Sequence, residues 1–137
     1  MNKPFKLSVK AIILDKQQRC LLIRRSPANH SFVGKWEWPG GKVDDGEDFA
    51  DAVVRETHEE TSLKIKIIGL VGATQFEMPK LNVVLLCMEA RLKSGKVQLS
   101  DEHDDFAWVT LGELMHWNDL LEAIRPVLNG FLERRIL

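Results

Sequence analysis

The chain has 137 residues, 45% hydrophobic and 28% charged, and its 19 Lys and Arg against 20 Asp and Glu leave a formal charge of −1. This composition excludes a disordered, collagenous or membrane-embedded chain. The near-balance of charge excludes a broad field of one sign for a nucleic-acid polymer or a membrane surface.

The length suits one domain, residues 1–137, able to bury roughly 68% of its unfolded surface without staples. Cys20 and Cys87 lie in apolar runs with no second Cys or His beside them. That reads as core packing and fits a reducing compartment. The N-terminal segment has no long apolar stretch, so neither a signal peptide nor a spanning helix is expected, and the default location is cytoplasmic.

In chain order, Leu7–Leu14 alternates Leu7, Val9, Ala11 and Ile13 and predicts a strand. The polar turn Asp15–Gln18 leads to a second strand, Cys20–Arg24, and the two form a hairpin. Ser26–Lys35 is a loop, Trp36–Trp38 a brief extended piece, and Pro39-Gly40-Gly41 stops it. Asp48–Thr61 predicts a helix. Ile65–Val71, Ala73–Glu77 and Leu81–Ala90 predict strands, with Met78-Pro79-Lys80 as a turn, and Phe106–Val109 predicts another. Leu111–Met115 and Asn118–Leu128 read as helical, with Asn118 as N-cap and Pro126 as a kink or break. Strands outnumber helices and a long helix falls between them, so the class is α/β or α+β with a mixed sheet.

The segment Gly41–Leu63, GKVDDGEDFADAVVRETHEETSL, carries the chemistry. At about 100° per residue, Ala50, Val53, Val54, Thr57 and Thr61 share one arc that can face a core. Glu56 and Glu60 are i, i+4 neighbours with Glu59 beside them, and His58 points away. Like charges so placed cost roughly 0.2–0.5 kcal/mol even when exposed. Arg55 relieves this partly, and a divalent cation relieves it more fully. An all-oxygen set without Cys or His suits Mg²⁺ or Mn²⁺ rather than Zn²⁺. Alone, such a run is also an ordinary solvated face. The glycines ahead of it, Gly40, Gly41 and Gly46, add a loop able to approach phosphate, and together they suggest metal-assisted phosphoryl chemistry.

Gly41, then Glu47 after five residues, then Arg55-Glu56-x-x-Glu59-Glu60 after seven more, resembles the box of the Nudix hydrolases in spacing, over 23 of the 137 residues. Thr57 stands where the family usually has an aliphatic residue, and Ser62 where it usually has glycine. The resemblance extends to Lys35–Lys42, similar to the lead-in of MutT-type members, to Arg24-Arg25 closing the second strand, and to Glu102, six residues before Trp108.

The resemblance implies an α/β/α sandwich with a mixed sheet and the box as loop-helix-loop. It implies hydrolysis of a nucleoside diphosphate linked to a further group. Glu56, Glu59, Glu60 and Glu102 would bind Mg²⁺ or Mn²⁺ beside the Gly41 backbone, and a Glu47–Arg55 pair would hold the loop on the helix. The base that activates water is Glu59 or Glu102, with Glu56 first a ligand. Arg25 and Lys42 are candidate phosphate or sugar contacts, Trp38 and Phe76 (with Trp36) candidate stacking residues, each also readable as a strand end or as core. Asn118 lies where some members read an oxidised base, and it also fits a cap. Asp101, Asp104 and Asp105 read as loop acids in water. Pro79 is explained locally by its turn. The substrate stays open between a (deoxy)nucleoside triphosphate, oxidised or not, and an ADP-ribose or nucleotide-sugar diphosphate. A non-catalytic nucleotide sensor is the alternative of another class. Homodimers are common in the family, and no dimer patch is visible in the sequence.

Overall fold

In the computed structural model, which describes residues 2–136, β1 (Phe5–Leu14) is buried on both faces at the middle of a seven-stranded sheet. Val9, Ala11 and Ile13 enter one apolar cluster, while Ile12 and Leu14 enter the other. That division is the two-residue period of a strand covered on both sides. β2 (Cys20–Arg25) follows through a turn in which the Asp15 carboxylate accepts from the Gln17 and Arg19 N–H groups.

The remaining elements are β3 (Trp36–Glu37), β4 (Gly40–Lys42), α1 (Phe49–Thr61), β5 (Lys64–Glu77), β6 (Asn82–Ser94), β7 (His103–Val109), α2 (Leu111–Met115) and α3 (Arg125–Ile136). The sheet order is β3-β2-β1-β6-β5, with β4 added to β1 and β7 to β2. β1 and β6 are parallel and the other pairs antiparallel, so the sheet is mixed. α1 covers one face through Ala52 and Val53. α2 and α3 cover the other through Leu114, Val127, Leu128 and Phe131. No helix among the described residues is long and apolar enough to cross a membrane.

Two partners share one side of β1. Leu14 pairs with Cys20 of β2, whereas Ser8–Lys10 pair with Lys42–Gly40 of β4. The glycine loop is thereby pinned to the sheet just before α1 begins. Gly40 has φ +151, and a Cβ built on it would lie 1.9 Å from the Val9 carbonyl oxygen. Only glycine permits that approach.

Several expected boundaries shift. β5 is one strand through Gly72, because its long pairing with β6 absorbs register shifts at Ile67/Gly69 and Leu70/Gly72. β7 begins at His103 rather than Phe106, since its polar start pairs with Arg24 and Arg25 of β2. Asn118 does not cap a helix. It lies in a turn where Asp119 takes φ 61, Leu120 bridges to Trp36, and a 3₁₀ turn over Glu122–Ile124 precedes α3. Pro126 sits in the first turn of α3 instead of breaking a helix, a place where its missing N–H has no partner to lose. Val54 is 38% exposed; the inward face of α1 is Ala52, Val53, Thr57, Glu60 and Thr61. Cys20 and Cys87 are buried free thiols, pushed by burial up to about 12.

Candidate active site

α1 starts where Asp48 accepts from the Ala50 and Asp51 N–H groups. Two turns on, Arg55 fans its donors over the loop. Nε and Nη2 donate to the two oxygens of Glu47 at 2.8 and 2.9 Å, and Nη2 also reaches the Lys42 carbonyl at 3.2 Å. Nη1 donates to Glu56 at 3.0 Å and to Glu59 at 3.2 Å. This bidentate clasp holds the Glu47 carboxyl down at about 2 and fastens the glycine loop to the helix.

Arg55 serves the outer part of this acidic ridge, Glu56 and Glu59, while the charge of Lys10 acts on Glu60 from within. Glu59 is exposed. Glu56 is half-buried, and desolvation raises its pKa despite Arg55, with the charges of Glu59 and Glu102 adding to the rise. Glu60 faces inward; burial pushes it up to about 7. Its Oε1 accepts from the Gly40 N–H at 2.8 Å. Gly41 is cut to the shape of Glu56, since a Cβ there would meet Glu56 Oε2 at 2.5 Å. Crowded carboxylate oxygens, those of Glu56 and Glu60 held above their ordinary pKa and packed on the glycine backbone, fit a hard divalent cation.

Beneath the ridge is a charged cluster that the sequence reading did not single out. Lys10 Nζ donates to Glu37 Oε1 at 2.9 Å, and Arg25 Nη1 donates to Glu37 Oε2 at 3.0 Å. His103 Nε2 lies 2.9 Å from the same Oε2. Burial opposes ionisation of Glu37, but Lys10, His103 and Arg25 outweigh it and hold the carboxyl well below the usual range. Lys10 stays charged in the same way, with Glu37 and Glu60 overcoming its desolvation. The available signal was a lone Lys within the alternating strand Leu7–Leu14 and a lone Glu between two tryptophans.

A cavity of about 580 Å³ opens beside this cluster. Phe32, Phe76, Met78, Leu81, Val83 and Leu121 give it apolar lining, and Phe32 meets Phe76 edge-on with centroids 6.4 Å apart. Arg25, Lys42 and Glu102 also line it. Arg25 is committed to the protein: besides Glu37, its guanidinium donates to the Ser31 carbonyl and to Asn29 Oδ1, so it shapes the loop that carries Phe32. The Glu102 carbonyl accepts from Ser26 N–H and Asn29 Nδ2, which ties that acid to the same loop.

Trp38 does not line the cavity. It is fully buried in the core, because the residue after inward-facing Glu37 points to the opposite face of the chain. Trp36 packs edge-on against Trp117 at 5.4 Å. Asn118 is exposed in its turn and absent from the cavity wall. Asp104 and Asp105 are not free loop acids; both lie on β7 and face Arg24, with Asp104 at 2.8 Å.

Comparison with known proteins places this geometry. The model of the NUDIX domain matches residues 4–131. A CTP pyrophosphohydrolase of Escherichia coli is 30% identical over 94% of this chain and 93% of its own length. An ADP-ribose pyrophosphatase of Methanocaldococcus jannaschii is 32% identical over 74% of this chain and 60% of its own. The crystal structure of a MutT protein from Methanosarcina mazei superposes with a TM-score of 0.91 at 30% identity, covering 98% of both chains.

Proposed function

The chain belongs to the Nudix family, as a hydrolase of pyrophosphate bonds in nucleotides, and from that premise we propose that it cleaves a (deoxy)nucleoside triphosphate with Mg²⁺ or Mn²⁺. The observation that carries this reading is the acidic ridge of Glu56 and Glu59, which share Arg55, and buried Glu60, beside a cavity with an aromatic wall. The cavity suits one small ligand. The triphosphate is favoured over an ADP-ribose because a relative named for CTP is matched over 93% of its own length, whereas the ADP-ribose pyrophosphatase is matched over 60% of its own.

In this reading Glu56, Glu60, Glu59 and Glu102 hold the cation beside the Gly41 backbone. A bound divalent ion supplies neutralisation of phosphate charge and stabilises charge that builds up as the bridge breaks. Arg55 keeps Glu56 and Glu59 on one side of the helix, and Glu47 keeps Arg55 there. Glu59 is engaged by Arg55, whereas Glu102 lines the cavity and its carboxylate has no hydrogen-bond partner among the described residues. Glu102 is therefore the group we assign to orient and deprotonate the attacking water. Phe32 and Phe76 offer ring edges and faces to a base, and Lys42 offers its ammonium to phosphate.

The test is a panel of CTP, dGTP, an oxidised purine triphosphate and ADP-ribose with each metal, scoring products as well as rates. Release of pyrophosphate or phosphate from triphosphates is expected to exceed turnover of ADP-ribose. Glu102→Gln is expected to slow it roughly 10²–10⁴-fold, and Glu60→Gln to abolish metal-dependent turnover. Full activity in both variants overturns the assignment, and preferential turnover of ADP-ribose overturns the substrate class.

A further inference from the structure

Glu102 stands in the turn between Ser100 and β7, exposed, beside the cavity. Its charge adds to the rise at Glu56, so the turn sets it close to the ridge. Since the carboxylate has no hydrogen-bond partner among the described residues, its pose comes from its own backbone. That backbone is held from two sides. Toward α1, the Ser100 N–H donates to the Glu60 carbonyl at 3.1 Å. Toward the loop 26–35, Ser26 Oγ donates to the Asp101 carbonyl at 2.6 Å. The Glu102 carbonyl accepts twice, from the Ser26 N–H at 2.9 Å and from Asn29 Nδ2 at 2.6 Å.

Asn29 is half-buried, and its amide fits only one way round. Oδ1 accepts from Arg25 Nη2 at 3.1 Å, while Nδ2 donates to the Ser26 and Glu102 carbonyls. A flipped amide would set oxygen against two oxygens and an NH₂ against a guanidinium. The local turn does not need the contact with Glu102, because the Asn29 backbone N–H already closes on the Ser26 carbonyl at 3.1 Å. The Glu102 carbonyl does not need it either, because it already holds the Ser26 N–H. What the reach across 73 residues adds is a second fixed point for the one acid whose own oxygens have none. At the other end of the amide, the Arg25 guanidinium is locked by Glu37 and by the Ser31 carbonyl, both at 3.0 Å.

We propose that Asn29 is a positioning residue that sets the pose of Glu102 beside the ridge, its amide joining the backbone of the turn to the Arg25–Glu37 pair. The proposal rests on Glu102 as the group that orients the attacking water. A misplacement of about 1 Å at such a group can cost roughly 10²-fold in rate.

Asn29→Asp keeps the acceptor for Arg25 and sets an oxygen in place of the donor to the Glu102 carbonyl. Turnover of the panel substrate cleaved fastest is measured at saturating Mg²⁺ in the wild-type and Glu102→Gln chains, with enzyme in excess where turnover is slow. The melting temperature is read beside it. Asn29→Asp is expected to lower kcat roughly tenfold, with KM and melting temperature unchanged. In the Glu102→Gln chain the same substitution is expected to cost nothing further, because it acts through a carboxylate already removed. Asn29→Ala removes the donor without adding a charge and is expected to show the same dependence on Glu102. A loss of equal size in the two chains, from either substitution, overturns the positioning role alone, and so does wild-type kcat in Asn29→Asp. Wild-type turnover in Glu102→Gln overturns the reading of Glu102 and this proposal with it.

Discussion

Glu37 and Glu60 are buried to similar depth, at 1% and 6% exposure, yet the protein treats them in opposite ways. Around Glu37 it gathers Lys10, Arg25 and His103, so the charge is neutralised from within. Around Glu60 it offers the Gly40 N–H and the more distant charge of Lys10, which together do not outweigh burial, so the charge is left short of partners. The first arrangement belongs to architecture: it joins β1, β2, β3 and β7 at one point. The second is unfavourable for the chain by itself and makes sense when the missing positive charge arrives from solution. The contrast separates carboxylates that maintain the fold from carboxylates that await an ion.

The most damaging way to break this contrast is to disarm the compensated side. Glu37→Gln leaves buried Lys10 and half-buried Arg25 without their counter-charge, and loss of one partner of a buried pair costs about 3–5 kcal/mol. The expected result is a large drop in the denaturant midpoint at pH 7, whether or not metal is added. A midpoint near wild type would mean that the cluster contributes little to the fold.

The opposite side responds to pH. The pKa of Glu60 rises on folding from an ordinary 4.5 to about 7. Between those values the folded chain keeps a proton that the unfolded chain has released. Its contribution is therefore complete below about pH 4.5 and is lost as pH rises through about 7, a loss of about 3 kcal/mol. Glu60→Gln removes the titrating group and keeps an acceptor for the Gly40 N–H. Without metal, the variant should be more stable than wild type at pH 8, and the gap should close toward pH 5. Denaturant titrations of both chains at the two pH values check this. A gap that widens at low pH would show that Glu60 is internally compensated like Glu37.

The two sides were also unequally legible in the sequence. The ridge could be read because its parts are local: Asp48 caps the helix, the acids follow helical spacing, and Arg55 reaches back only eight residues to Glu47. The compensated cluster was not, because Lys10 and Glu37 are 27 residues apart and Glu37 and His103 are 66 apart. Each reads as a solitary polar residue until the parallel and antiparallel pairings of β1 and β2 bring the strands together. The same limit misplaced Trp38 and Asn118. Trp38 and Phe76 look alike as aromatics in short strands, and only the side of the chain each one faces separates core from cavity. Asn118 has the composition of a cap, but the left-handed Asp119 turns the chain before a helix can start.

Ser62 shows what the molecule tolerates where no ion is awaited. It ends α1 in the left-handed region, φ 65, where the related box usually has glycine. A side chain there costs roughly 1–2 kcal/mol, and the only return from its hydroxyl among the described residues is a 3.3 Å donation to the Gln98 carbonyl. Glycine would remove the strain, though its extra freedom in the unfolded chain takes back roughly 0.5–1 kcal/mol. Ser62→Gly should therefore raise stability by about 0.5–1 kcal/mol, read as a small rise in melting temperature. Its Mn²⁺ affinity and turnover should match wild type, because the Glu60 carboxylate is anchored by the Gly40 N–H and not by the Ser62 side chain. A change in metal affinity from this substitution would mean that the strain at the end of α1 also sets the pose of the ridge.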